Sequence, residues 1–439
     1  MKEKAGETEE KEVAGFKSAT SAIKEKVGRH RWWVVALLFA ATTINYIDRQ
    51  VMGILAPELQ ATFNWSEADY GFIIMSFQAA YAIGLISMGG LLDKIGTKLG
   101  YIVAVIVWSI ACMFHAAASS VSTFSLARFA LGIGESANFP AAVKTVAEWF
   151  PKRERALATG VFNSGANIGA IVAPLIVPFI ALKWGWQWAF IITGTFGFVW
   201  LLFWIPFYQR PEKSTRLKHA ERSYILQDKE ETTQHLPWRK MLAHRQTLGI
   251  CLARFVTDPI WWFFLYWLPK FLYSNHGIDL TNIGLPIVII YLVSDGGSII
   301  GGWVSSYYVR KGKDPVAARK LTIFMMALLV VPVFFTSFTS NLWVAVALIA
   351  MATFAHQGYA ANIYTIVSDI YPKNAVGSMV GLAGFAGALG GVVFSAAVGL
   401  ILEATGSYYI IFGIASGSYL VCWLSLKLFV PDNKSIQIT

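Results

Sequence analysis

The apolar runs of this chain leave it few ways to fold. Twelve of them, each near the ~20 residues that carry a helix across a bilayer, fill most of its 439 residues. The first six fall at roughly 33–57, 67–92, 99–118, 122–147, 156–180 and 188–208. The second six fall at roughly 247–273, 281–308, 319–338, 342–368, 375–402 and 406–430. Charged residues make up 14% of the chain, against about 25% in a soluble one. The expectation is an all-α membrane protein of twelve transmembrane helices (spans 1 to 12), with the lipid bilayer as its first partner.

The net charge of +10 reflects placement and not a nucleic-acid partner. About 30 of the 36 Lys and Arg lie in the termini and in alternate loops, with only Lys183 and Lys270 in the opposite loops. That positive-inside pattern puts both termini in the cytoplasm of a multi-pass inner-membrane protein. Residues 1–31 mix both signs without an apolar core and read as a disordered cytoplasmic tail, not a signal peptide. Residues 209–246 form one long polar middle loop, and 431–439 a second short tail. Between them stand two six-helix units, 32–208 and 247–430. Cys112, Cys251 and Cys422 all fall within spans and form no CxxC pair, so packing is their expected role. No metal site or cofactor is expected.

The two units can be laid over each other. At an offset of 212, Leu55–Leu59 meets Leu268–Leu272 and Gly89-Gly90 meets Gly301-Gly302. At an offset of 221, Glu148–Lys152 meets Asp369–Lys373, Gly160 meets Gly381 and Gly169 meets Gly390. Such internal duplication of six-helix units marks several transporter folds.

Charges inside the spans narrow the function. Span 4 carries Arg128, Glu135 and Lys144 in an apolar stretch, Ser125 to Pro151, that reads as one helix. Each charge at bilayer depth costs about 2.5–3.5 kcal/mol on insertion scales, so a functional reason is expected. Arg128 and Glu135 are about two helical turns apart and can face one cavity, with Glu135 near the midplane. In span 1, Tyr46 and Arg49 share a face while Asp48 points about 100° away. Two arginines at similar depth can clamp a carboxylate; the alternative is a structural bridge between Arg49 and Glu135, which can itself act as a switch. Protonating Glu135 or Asp48 would free an arginine for an anion, so bound proton and bound anion would favour each other. Asn138 extends the polar set of span 4.

Span 10 carries His356, on the position equivalent to Glu135 at the 221 offset, together with Gln357 and Asn362. His356 is either a proton relay or a packed hydrogen-bonding group. Span 7 carries Arg254 and Asp258, which can bridge each other at i, i+4, followed by Trp262 and Tyr266, which can stack on a sugar face or form an interfacial belt. Span 5 places Asn163 and Asn167 beside Gly165 and Gly169, a close-packing face next to a polar stripe. There is no GxSxG, HExxH or P-loop, so nothing argues for an enzyme.

After span 2, Gly89, Asp93, Lys94, Gly96 and Lys98 fall in a loop that resembles the span 2–3 signature of the major facilitator superfamily. The resemblance implies a conformation-dependent clasp between the two halves at their cytoplasmic ends. At the 212 offset Asp93 falls on Ser305, so the clasp is expected to be asymmetric. GTKLGY, AEWFPKRER, FNSGANIGA, the ARF..DP.W pattern and FAHQ are similar to the anion:cation symporter family, and most closely to its bacterial hexuronate transporters. That likeness implies proton-coupled symport of glucuronate or galacturonate by alternating access. Galactonate and other organic-anion carriers are the alternative. It further implies proton sites at Asp48 and Glu135, carboxylate binding by Arg49, and a substrate contact at Tyr81. Ala166 and Gly384 stand where galactonate carriers have glutamine and asparagine. The six-plus-six unit is expected to work as a monomer.

Overall fold

The computed structural model describes residues 28–227, 241–371 and 373–432. Most of the expected N-terminal tail, the centre of the middle loop and the last seven residues lie outside the described residues. Among the described residues there is no strand. This is what lipid requires, because a helix satisfies its backbone hydrogen bonds within one segment.

The helices in order are α1 (His30–Phe63), α2 (Glu67–Ile95), α3 (Thr97–Phe114), α4 (Val121–Glu135), α5 (Asn138–Trp149), α6 (Lys152–Trp184) and α7 (Trp186–Phe207). After the short α8 (His219–Leu226) come α9 (Arg245–His276), α10 (Gly284–Arg310), α11 (Pro315–Val330), α12 (Leu342–Ile370), α13 (Lys373–Thr405) and α14 (Tyr409–Phe429). Among the described residues ten of these segments are long and apolar enough to cross a membrane. The chain is thus a multi-pass membrane protein. α1 is not among the ten: it has the length, but Thr42, Thr43, Asn45, Asp48, Arg49 and Gln50 dilute its middle. Starts are set locally, as where Ser66 caps α2 through a capping box with Asp69. Gly96 supplies the turn into α3 at φ +83°, a backbone region that favours glycine.

The single helix expected over Ser125–Pro151 is interrupted. α4 ends at Glu135, a turn spans Ser136 and Ala137, and α5 starts at Asn138. Pro140 has no N–H to offer the Ser136 carbonyl, so the helical ladder loses a rung there. The Ser136 N–H bonds back to Gly132 O at 3.1 Å and Ala137 N–H to Gly134 O at 3.4 Å. Glu135 therefore sits at a helix end, a position the periodicity did not reveal.

Helices from the two halves of the chain meet in three pairs: α1 with α9, α2 with α13 and α6 with α10. At one end these pairs touch. The Cβ that an alanine would add at Gly71 falls 2.9 Å from Gly399 Cα, and one at Gly284 falls 3.0 Å from Pro174 O. Pro269 leaves the Leu265 carbonyl without its helical donor, and Gly53 of α1 packs directly on the Leu265–Tyr266 backbone. Polar contacts reinforce this end. Lys270 pairs with Glu67, the Glu67 and Ala68 amides donate to Glu403 Oε2 at 2.8 and 3.3 Å, and Tyr70 Oη donates to Tyr266 O at 2.7 Å.

At the opposite end the same pairs part. Gly89 and Gly90 on α2, Gly377 and Gly384 on α13, Gly160 on α6 and Gly302 on α10 have open space where a Cβ would stand. Asp93 of the loop signature pairs there with Lys144 of α5 at 2.6 Å, within its own half. In the second half Arg319 takes both Ser305 Oγ at 2.7 Å and Asp369 at 3.3 Å, again within one half. The polar contacts that join described residues of α1–α7 to α9–α14 gather at the Glu67 end.

Lys270→Ala should loosen that closure. An ion pair at this intermediate burial contributes about 1–2 kcal/mol, so the closed-to-open ratio should fall about tenfold. Spin labels at the exposed Thr62 and Tyr273, read by double electron–electron resonance, should gain a longer-distance population. An unchanged distribution would show that glycine packing alone holds the end shut.

Candidate functional site

The site forms where α1, α2, α4 and α9 converge just inside the closed end. Gly132 and Gly134 make the convergence possible: a Cβ at Gly132 would fall 2.5 Å from Phe77 O, and one at Gly134 would fall 2.7 Å from Trp108 N. With α4 drawn this close to α2 and α3, Glu135 reaches Arg49 on α1. Both residues are completely buried. Arg49 Nε and Nη2 lie 2.9 and 2.8 Å from Glu135 Oε2, and Nη2 also donates to Asn45 Oδ1 at 3.3 Å. Arg49 Nη1 and Glu135 Oε1 have no partner among the described residues.

Aromatic rings box the guanidinium. Its carbon lies 4.8 Å from the ring centroids of Tyr46 and Tyr81 and 5.1 Å from those of Phe77 and Trp262. Each such contact contributes about 0.5–2 kcal/mol, more when water is excluded. Trp262 in turn stacks on Tyr266 at 6.0 Å. The expected stacking surface of span 7 thus faces the arginine and is not an interfacial belt.

Arg128 lies beside this pair in a different state. Its Nη2 donates to the Arg49 carbonyl at 3.1 Å, and its guanidinium faces Phe77 and Tyr266 at 5.3 and 5.6 Å. Its Nε and Nη1 have no partner, nor does the adjacent Tyr266 hydroxyl, and no carboxylate among the described residues pairs with it. A buried cation with unmade hydrogen bonds is costly and is the natural seat of an anion. Gln78, one residue along α2 from Phe77, is buried with both ends of its amide unpartnered.

Other expected residues have other positions. Asp48 points away from Arg49, as the helical period requires, toward the Cys112 thiol and the Thr193 hydroxyl. Asn138 is tied into packing, accepting from Tyr101 Oη at 2.6 Å and donating to Thr42 at 3.3 Å. Asn362 likewise donates to Gly301 O and Gly358 O at 3.1 and 2.8 Å, joining α12 to α10. His356 is stacked on Trp261 at 5.0 Å and bonded to Tyr419 Oη at 2.6 Å, with no hydrogen bond to Glu135 among the described residues. Arg254 and Asp258 bridge each other at 2.8 Å, with Arg254 over Tyr364 at 4.7 Å. Gln357 is half-buried and shares a helical face with the exposed Tyr364. Asn163 is exposed and Asn167 half-buried.

Sequence reasoning missed Phe77, Gln78 and Asp295. Phe77 stands at i, i+4 from Tyr81, a spacing that put both on one face and was available to read. Asp295 is an acid in mid-span and was equally visible.

Comparison with known proteins decides the family. The Major Facilitator Superfamily model matches residues 38–317 and 314–437. The chain belongs to that superfamily. Among its relatives is a hexuronate transporter of Escherichia coli K12, 34% identical over 387 residues, covering 87% of this chain and 90% of the relative. A D-galactonate transporter of Escherichia coli O6:H1 is 31% identical over 424 residues, covering 94% and 98%. Among solved structures, a D-xylose–proton symporter matches with a TM-score of 0.73 at 16% identity over 93% of this chain and all of that one; it supports the fold. The protein is accordingly a facilitator-superfamily transporter and not an enzyme.

Arg49→Met would leave Glu135 buried without a cation and should cost about 3–5 kcal/mol. Arg49→Met combined with Glu135→Leu should recover most of that loss, as seen by thermal unfolding in detergent. Losses that simply add in the double variant would mean that the two side chains do not stabilise each other.

Proposed function

We propose that this protein is a twelve-span secondary transporter that brings a sugar-acid monoanion of the hexuronate type into the cell together with protons, by alternating access. The observation that carries the reading is Arg128, buried with two free nitrogens beside an Arg49 whose charge is already taken by Glu135. α4 and α5 together make one broken span and α1 another, which with the ten apolar helices gives six in each of two units, 32–208 and 247–430. The basic end, where Asp93 and Lys144 stand, is the cytoplasmic one, so the conformation described is inward-facing. The membrane is the cell's inner membrane, and one chain suffices for transport.

In this scheme the cargo carboxylate binds first to Arg128. A proton reaching Glu135 ends its claim on Arg49, whose donors then turn to the same carboxylate as a planar fork. Tyr81, Trp262 and Tyr266 offer the apolar face of the sugar a stacking surface, as aromatic residues do. Charge arithmetic supports the coupling. Three arginines (Arg49, Arg128, Arg254) face four acids (Asp48, Glu135, Asp258, Asp295) at membrane depth, a balance of 3 − 4 = −1 before any anion arrives. A monoanion would deepen that deficit, so its entry favours proton uptake by linkage. Asp48, fully buried and facing a thiol and a hydroxyl with no cation beside it among the described residues, is the second candidate proton site. An aldonate is the runner-up cargo, because the galactonate relative spans nearly the whole chain.

The test is uptake of labelled glucuronate and galacturonate into proteoliposomes under an inward proton gradient. With one proton per monoanion the step is neutral, and each pH unit, about 1.36 kcal/mol, should sustain about tenfold accumulation. Glu135→Gln should abolish accumulation while retaining exchange of internal for external cargo. Equal proton-driven accumulation by both proteins would remove Glu135 from the coupling and leave Asp48. Uptake of neither sugar acid would refute the cargo.

A further inference from the structure

The transport scheme gives Asp295 no task, yet it is an acid in the middle of a membrane span. Its side chain is half-buried, with Oδ1 sealed from solvent and unpartnered among the described residues. It faces the amide of Asn167 on α6. α6 and α10 run antiparallel here, meeting at Pro174 and Gly284 toward the closed end and parting at Gly160 and Gly302. Asn167 and Asp295 lie between those points, on the boundary of the two halves. One turn before Asp295 on the same face of α10, Tyr291 lies 5.9 Å from the Trp261 ring and within electrostatic reach of Tyr46, whose ring lies against Arg49. The Asn167–Asp295 wall therefore adjoins the arginine site through Tyr291 and Tyr46.

We propose that Asn167 and Asp295 form the hydroxyl-reading end of the cargo site, and that the Asp295 carboxylate makes the protein reject sugar acids carrying a second carboxylate. The inference rests on the sugar-acid reading above and refines it. A carboxylate accepts hydrogen bonds from two neighbouring hydroxyls, while Asn167 supplies both a donor and an acceptor. Toward a terminal carboxylate Asp295 offers only like charge. No cation among the described residues stands ready to offset it: Arg254 is bridged to Asp258, and in the transport scheme Arg128 and the released Arg49 both hold the first carboxylate. Rejection by juxtaposed like charge is an economical means of selecting partners. A sugar acid with one carboxylate passes this wall; its dicarboxylic counterpart of the same length does not.

The experiment is counterflow in proteoliposomes loaded with glucuronate, using unlabelled glucuronate or glucarate as competitor of labelled glucuronate. Wild type should prefer glucuronate, and Asp295→Asn should lower that preference about tenfold or more, since an amide can donate to the second carboxylate. Asn167→Asp adds a second acid to the same wall and should raise the preference, so it carries the test should Asp295→Asn fail to fold. Wild type exchanging glucuronate while both variants keep its competitor ratio would overturn this inference alone. Wild type exchanging no sugar acid would overturn it together with the transport reading.

Discussion

The Arg49–Glu135 pair sits where α1, α2 and α4 press most closely, and the surrounding architecture is explained by what such a pair needs. Two ions withdrawn from water cost several kcal/mol each, which their attraction repays only with good geometry and filled hydrogen bonds. Here the repayment is incomplete by construction. Both donors of Arg49 converge on one oxygen of Glu135, leaving the other oxygen and Nη1 without partners. The aromatic box around the guanidinium supplies part of the shortfall without fixing its direction, since a cation over a ring face is held more loosely than one in a hydrogen bond. An ion pair supported in this manner is stable enough to persist and incomplete enough to be exchanged for another anion.

The internal repeat carries this chemistry in one half only. The position 212 residues after Arg49 is Trp261, and that 221 residues after Glu135 is His356. In the structure these two are also in contact, but as stacked rings 5.0 Å apart. Where the first half has a buried ion pair, these two positions of the second half hold packed rings, with His356 bonded to Tyr419. The buried arginine without a carboxylate, Arg128, thus belongs to the N-terminal half, while the C-terminal half presents the Trp262 and Tyr266 rings to the two arginines.

Much of this was legible in the sequence. Span positions follow from apolar run length, since a helix in lipid has no other way to satisfy its backbone, and α12 at Leu342–Ile370 against roughly 342–368 is representative. Arg49, Arg128 and Glu135 stood out because charge at that depth is costly. What stayed hidden depends on neighbours that periodicity does not name. The helical period fixes which face Asn138 and Asn362 occupy, but not that Tyr101 and the Gly301 carbonyl wait there to take up their amides. The break after Glu135 required weighing Pro140 against a long apolar stretch, and run length prevailed. His356 was readable as relay or packing, and only the position of the Trp261 ring separates the two.

The site and the closed end share one stretch of α9. Tyr266 presents its ring to Arg128 and its carbonyl to the Tyr70 hydroxyl; Lys270, four residues on, pairs with Glu67. One helical turn thus separates the ring that faces Arg128 from the lysine that pairs α9 with α2. Pro269 lies within that turn and removes the hydrogen bond that would stiffen it. Coupling between distant sites needs an element with two arrangements that both sites bias. Here the distance is so short that the same backbone segment meets both. A change in how Arg128 is neutralised alters the field at Tyr266 directly, and α2 feels it through Tyr70. At the opposite end the ion pairs Asp93–Lys144 and Arg319–Asp369 each stay within one half, apart from the arginine site. In this conformation, therefore, the arginine site and the closed end are joined through one turn of α9.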